Sequence, residues 1–592
     1  MIRSFVVLFV ILPLFSVAQQ NEILPPILPW KGKSLELIAK KNNPWITPAE
    51  VNDFIRTPSY AETMAWFDKL CEASDILEMT TVGQSANGRK IEMVIASQDK
   101  IFDKASLRSS PKPLLLVQAG IHAGEIDGKD AGMMLLRDIA FGKKMDLLKN
   151  VNLLFIPILS VDGHERVSPY NRPNQRGPEN MGWRTNARNL NLNRDYTKLD
   201  SEEISAVVQV MNDYNPSFYV DLHVTDGADY QYDITYGNVD YSPAIAQWLK
   251  QTFRPAIDKG LTAYGHIPGP LIFATNDRDF TQGRTDFPYM PRFSTNYGDL
   301  RRIPSILVEN HSLKPFKQRV LGTYVFLESL LQIAGKESVS LKRAIQSDAS
   351  LRSDDVAITW KSPEKKDTVT FLGVESTLEK STVTSGDYVR WTGKPITQKI
   401  SLTRVNQPDV TVKRPKAYWV PATYPNVIER LVMHGIKTEK ITESKTVDVD
   451  LYHLQDPEIS NAPFEGHFIV TTKAQPKKHQ ETFHPGSVRI PTDQILGDLV
   501  IYLLEPRSPD SFLAWGFFPE IFSQTEYIEE YAIEPLARWM LAKDENLRKE
   551  FELKKKEDPA FVNDKTKVYA WFYERSSFYD NRYLVYPVGV ER

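Results

Sequence analysis

Residues 114–125 read LLLVQAGIHAGE, and this stretch decides how the N-terminal half of the chain is read. Leu114 to Val117 form a continuous apolar run, the pattern of a strand buried on both faces, and Gly120 breaks it. His122 and Glu125 follow three residues apart in a turn of small residues. At that spacing two side chains share one face, so an imidazole and a carboxylate can hold the same metal ion and leave positions for a distant ligand and a water.

Outward from this stretch, strand and helix signals alternate. Thr47 and Pro48 open a short helix, and a second is expected over Tyr60–Cys71. Gly83, Asn87 and Gly88 mark a hairpin turn before a strand at Ile91–Ala96. Helical spacing of Ala131, Leu135, Leu136 and Ile139 runs to Gly142, and a strand returns at Val151–Ile158. Asp200 and Glu203 read as a capping box for a helix over Ser201–Tyr214, followed by a strand over Ser217–His223. A last strand, Ile303–Glu309, precedes a helix over Val320–Ala334. This order predicts an α/β domain: a mixed sheet flanked by helices, with its site at the carboxyl ends of the strands. His122, His223 and Glu309 all fall at such ends.

The apolar stretch FVVLFVILPLF behind Arg3, followed by Ser16-Val17-Ala18, reads as a signal peptide over residues 1–18. It implies export to the periplasm or the extracellular space. No later run is long enough to span a bilayer, so no stable membrane insertion is expected. The chain has 592 residues, of which 42% are hydrophobic, enough for more than one core. A net charge of −3 with no basic block argues against nucleic-acid partners. The single cysteine, Cys71, excludes an intrachain disulfide framework and reads as a small buried hydrophobe.

The ordered motifs GQSANGR (Gly83–Arg89), HAGE (His122–Glu125), Trp183-Arg184-Thr185, NLNRDY (Asn191–Tyr196), the strand-end His223 and ILVEN with Glu309 resemble the carboxypeptidase A-like zinc metallocarboxypeptidases. The likeness spans residues 46–335, after a leader at 19–45. It implies one zinc ion per chain, held by His122, Glu125 and His223, and Glu309 as the general base. It makes Arg184 the oxyanion partner, with Asn193 and Arg194 binding the substrate's terminal carboxylate. Tyr297 is the choice for the family's mobile phenol, with Tyr289 and Tyr236 as rivals. Where the family often has an aspartate two residues before the Asn-Arg pair, this chain has Asn191, an uncharged partner for a zinc-bound histidine. The expected substrate is a peptide, or an N-acyl amino acid, with a free carboxylate. A zinc deacylase or cell-wall peptide amidase would use the same site, and a binding protein on an inactive scaffold is the remaining alternative.

Beyond Gly335 the composition turns to Thr, Val, Lys and Ser. Residues 336–592 are expected to form a β-rich accessory region with a small α/β unit from Ala417, a division into two small domains. His434 reads as a cation or cap at a helix C-terminus. The aromatic segment LLEPRSPDSFLAWGFF reads as core or interdomain contact, and Lys543–Lys556 as a solvated helix.

Overall fold

The computed structural model describes residues 23–287 and 289–592. The expected signal peptide lies outside the described residues. Eight strands form the main sheet: β1 (Leu77–Gln84), β2 (Lys90–Ala96), β3 (Leu114–Ala119), β4 (Asn152–Ile156), β5 (Phe218–Val224), β6 (Ile234–Gly237), β7 (Pro268–Gly269) and β8 (Ser305–Asn310). Their spatial order is β1-β2-β4-β3-β5-β8-β6-β7. The central four run parallel, while β2 joins β4 and β6 joins β8 in antiparallel register. Gly88, at φ +76°, turns the β1–β2 hairpin where an L-residue would be strained.

Every residue of β3 is buried, as its unbroken apolar run requires of a central parallel strand. Leu114 and Leu116 enter one core, while Leu115, Val117 and Ala119 enter the other. Each such side chain contributes roughly 1.5–3 kcal/mol by leaving water. Helices Asp127–Ala140 and Phe316–Lys336 cover the second core, and helix Glu202–Tyr214 covers the first. Gly120, at φ +68°, stops β3 and sends the chain into the turn that carries His122 and Glu125.

The helix at 202–214 is capped one residue later than expected. Ser201 Oγ accepts the Ile204 N–H at 3.3 Å. Asp200 instead lies 3.0 Å from both Lys198 and Arg430 and 2.7 Å from His467. Glu203 is buried and accepts from Asn186 at 3.2 Å. A carboxylate surrounded by cations is better used in ion pairs than on a backbone N–H, which the neighbouring serine can satisfy.

The leader packs onto the catalytic half: Trp30 Nε1 donates to the Gly265 carbonyl at 2.8 Å, and Ser34 meets His266 at the same distance. Helix Ser338–Ser350, beyond the expected boundary, does likewise. Its Ser340 accepts from Trp248 at 3.0 Å, and Asp348 accepts the N–H groups of Ala244 and Ile245 at 3.2 and 2.8 Å.

The remainder is β-rich. A long hairpin, Asp367–Lys380 with Asp387–Thr403, joins the short strand Arg284–Thr285, and a six-stranded sheet follows with Ala417–Val420 and Val585–Glu591 at its middle. Trp515, Phe512 and Phe518 are buried in a core that also holds Leu116 and Tyr297, so the aromatic segment ties the accessory region to the catalytic half. Helix Glu545–Glu557 has no buried residue, as its charge pattern requires. Cys71 is half-buried, and burial pushes its thiol up to about 12. Among the described residues no helix is long and apolar enough to cross a membrane.

Candidate metal centre and active site

Two chain segments deliver the three expected ligands to one point. His122 and Glu125 come from the turn after β3, which the Glu125 N–H closes onto the His122 carbonyl at 2.8 Å, and His223 comes from the end of adjacent β5. Their donor atoms lie within 4.8 Å of one another, and all three residues are buried. His122 Nδ1 has no hydrogen-bond partner among the described residues. His223 Nδ1 lies 3.2 Å from Glu125 Oε2. A buried imidazole nitrogen without a partner, facing a second imidazole and a carboxylate, fits the His₂Glu set of a catalytic zinc.

Electrostatics favour the same use. Burial holds His122 well below the usual histidine range, so its nitrogen is free to donate. Burial pushes Glu125 upward, but Arg172 and the two histidines outweigh it and keep the carboxylate ionised. Burial lowers His223, yet Asp221 reverses the sign and raises it well above the ordinary value. His223 Nε2–H donates to Asp221 Oδ2 at 2.7 Å, and Asp221 is itself held by Gln118 at 3.0 Å and Ser294 at 2.5 Å.

Two further residues of this centre escaped the motif reading. Asp221 stands two residues before His223 on β5, and the period of a strand puts both on one face. Arg172 lies 2.8 Å from Glu125 Oε1 and is buried. It occupies the space left by Gly124, where an added Cβ would meet the Arg172 side chain at 2.5 Å. Nothing local in the sequence around Arg172 marks it, because its partner is 47 residues away in the chain by the difference 172 − 125.

Glu309, on β8 opposite His223 in the parallel register, has one buried oxygen, Oε2, with no hydrogen-bond partner among the described residues. Burial pushes its carboxyl up to about 8, and Glu125 and Asp226 add to the rise while His223 opposes it. Arg184 rests 3.3 Å from Glu125 Oε1 and 3.7 Å from Asp226, about one-third exposed at 36%. Its charge is felt at His122, Glu309 and Arg194.

Asn193 and Arg194 stand on the short turn Leu192–Arg194. Asn193 Oδ1 accepts the Ser294 N–H at 2.9 Å. Arg194 donates to the Asn193 carbonyl at 2.7 Å, stacks on Phe293 at 4.5 Å, and has no carboxylate within ion-pair distance among the described residues. Burial and then Arg184 lower its guanidinium to about 10. The Asn191 amide oxygen accepts the Asn193 N–H at 3.1 Å, so it caps its own turn.

Tyr297 requires a correction. It is fully buried, its O–H donates to His434 Nδ1 at 2.8 Å, and it accepts from Arg301 at 3.1 Å. A phenol so held does not swing over a substrate. Tyr289 donates to the Asn296 carbonyl at 3.1 Å and Tyr236 to Asp258 at 2.6 Å, so both rivals are equally committed. His434 caps the C-terminus of helix Pro425–Met433 as expected, but not as a cation: burial lowers it to about 3, and it bridges Tyr297 to the Thr197 carbonyl as a neutral ring. Two other buried histidines, His311 and His164, lie outside the ligand set and pair with Asp229 and Glu165, each at 2.9 Å.

Residues 63–296 match the family model for zinc carboxypeptidase. Carboxypeptidase 2 of Trichophyton rubrum is 24% identical over 488 residues, covering 78% of this chain and 84% of that protein. Carboxypeptidase 2 of Trichophyton tonsurans is 24% identical over 503 residues, 81% of this chain and 87% of that one. Among solved structures, carboxypeptidase A of Helicoverpa armigera is 16% identical with a TM-score of 0.37, covering 56% of this chain and 80% of that one. The chain carries a zinc carboxypeptidase domain. Within those residues the His122, Glu125 and His223 set is that of a zinc-dependent hydrolase, in line with the motif resemblance.

Proposed function

We propose that this is an exported metallocarboxypeptidase that removes the terminal residue of a peptide, with a catalytic domain over residues 46–350 and an accessory region after it. The observation that carries the reading is the convergence of His122, Glu125 and His223 beside the unpartnered oxygen of Glu309. When bound by these three residues, zinc supplies a Lewis acid that acidifies water and polarises the scissile carbonyl.

The chain's own residues do the rest. Glu309 Oε2 takes a proton from the attacking water and passes it to the leaving amine, a task open to a buried carboxylate oxygen that has no hydrogen-bond partner among the described residues. Arg184 stabilises the oxyanion that develops on the carbonyl, since its guanidinium already borders Glu125. Asn193 and Arg194 bind the substrate's terminal carboxylate, for which an arginine with no acidic partner is suited. Arg172 keeps Glu125 ionised, and Asp221 fixes the ring of His223.

The test combines metal analysis with mass spectrometry of a plain peptide. About one zinc per chain and stepwise loss of single residues from the carboxyl end, stopped by a chelator and restored by zinc, is the expected result. Internal fragments, or cleavage confined to N-acyl groups, would replace the carboxypeptidase reading.

A further inference from the structure

The accessory region reaches the carboxylate-binding turn through one hairpin tip. Phe464 and His467 exchange backbone hydrogen bonds at 2.8 and 3.1 Å, closing a two-residue turn. Glu465 and Gly466, its central residues, have φ of +50° and +85°. Turns of this hand need left-handed backbone at both positions, which glycine adopts freely and glutamate does not. A residue held in that region calls for a compensating contact. Here it is a hydrogen bond: Glu465 Oε2 accepts the Asn191 backbone N–H at 2.7 Å.

Asn191 begins the turn Leu192–Arg194, and its side chain caps the Asn193 N–H at 3.1 Å. The Glu465 carboxylate therefore fixes the residue from which Asn193 and Arg194 are presented. The hairpin is anchored behind this contact, because His467 Nε2 lies 2.7 Å from Asp200 Oδ2, which also pairs with Lys198 and Arg430. Glu465 is also the acid whose field acts on Arg194 without forming an ion pair.

We propose that Glu465 is a positioning residue for substrate binding: the accessory region holds the Asn191–Arg194 turn in place and so sets the affinity for the substrate's terminal carboxylate. The inference rests on the reading of Asn193 and Arg194 given above. It assigns the C-terminal region a part in the binding site.

The experiment compares Glu465→Ala and Glu465→Gln in the full, zinc-loaded chain, using one peptide as its free acid and as its amide. Both variants keep a Cβ at the left-handed position, so their difference isolates the side-chain acceptor. Glu465→Ala should raise KM for the acid roughly three- to tenfold, the size of one lost hydrogen bond of ordinary strength, with little change in kcat or in KM for the amide. Glu465→Gln, which keeps an acceptor oxygen, should recover most of the native KM. Hydrogen exchange at the Asn191 amide should quicken in Glu465→Ala and not in Glu465→Gln. An unchanged KM in Glu465→Ala, or equal losses on acid and amide, would overturn the proposal. A native enzyme that does not distinguish acid from amide would instead overturn the underlying reading of Arg194, and this inference with it.

Discussion

Asp221 Oδ2 lies 2.7 Å from His223 Nε2, which leaves Nδ1 of the same ring facing Glu125. The contact leaves Nδ1 as the nitrogen available to a metal, and a carboxylate on the other nitrogen makes it a stronger donor. Asp221→Asn keeps the shape and removes the charge. It should lower zinc affinity by about 10–100-fold while leaving some activity at saturating metal. His122→Ala, Glu125→Ala and His223→Ala should lose both zinc and turnover, because each leaves only two protein ligands. Native zinc affinity in Asp221→Asn, read by competition with a chelator, would show that the aspartate only packs.

Glu309 lies outside the ligand set, and the variant Glu309→Gln is nearly isosteric. Zinc content should therefore stay at the native level while kcat falls by about 10²–10⁴. Metal analysis and steady-state kinetics on the same preparation check both halves. Near-native turnover would remove Glu309 from proton transfer.

Tyr297 serves the core where the motif reading expected a mobile phenol. Tyr297→Phe breaks its hydrogen bond to His434 and should lower the melting temperature, since a buried imidazole acceptor loses its donor. KM and kcat should stay within about twofold of native, because the hydroxyl does not face the substrate. A large fall in kcat with unchanged stability would return Tyr297 to the active site.

Asp299 gives a pH dependence of stability. Burial pushes its carboxyl up to about 7 from 3.8, against the pull of Arg302 and hydrogen bonds, and its Oδ1 has no partner among the described residues. Between those two values the folded chain binds a proton that the unfolded chain has released, so this group's contribution falls as pH rises. The span corresponds to roughly 4 kcal/mol once pH exceeds 7. Asp299→Asn cannot ionise, so its melting temperature relative to the native protein should rise steadily from pH 5 to pH 8. A pH-independent difference would mean that Asp299 titrates normally.

Much of the catalytic half was legible because its signals are local or ordered. The apolar run at Leu114–Val117, the break at Gly120 and the spacing of His122 and Glu125 are each contained within a dozen residues, and β3 and its turn follow from them. Asp221 escaped the motif reading although FYVDLH contains it, and the two-residue period of a strand is the signal that could have paired it with His223. Arg172 and Glu465 were not legible. Their partners are Glu125 and Asn191, joined to them by folding alone, and no periodicity encodes a contact of that kind. Tyr297 misled because a tyrosine in the middle of a short helix looks the same in sequence whether its hydroxyl meets water or a buried histidine.

The central claim is that Arg194 reads a free terminal carboxylate, and one measurement tests it most directly: kcat/KM for a single peptide as acid and as amide, with the native enzyme and with Arg194→Ala. The account predicts a strong native preference for the acid, and a variant that loses most of that preference through a raised KM, because the arginine meets a group already ionised in the ground state. Equal native cleavage of the two forms would contradict it and leave a zinc amidase whose substrate carries no required carboxylate.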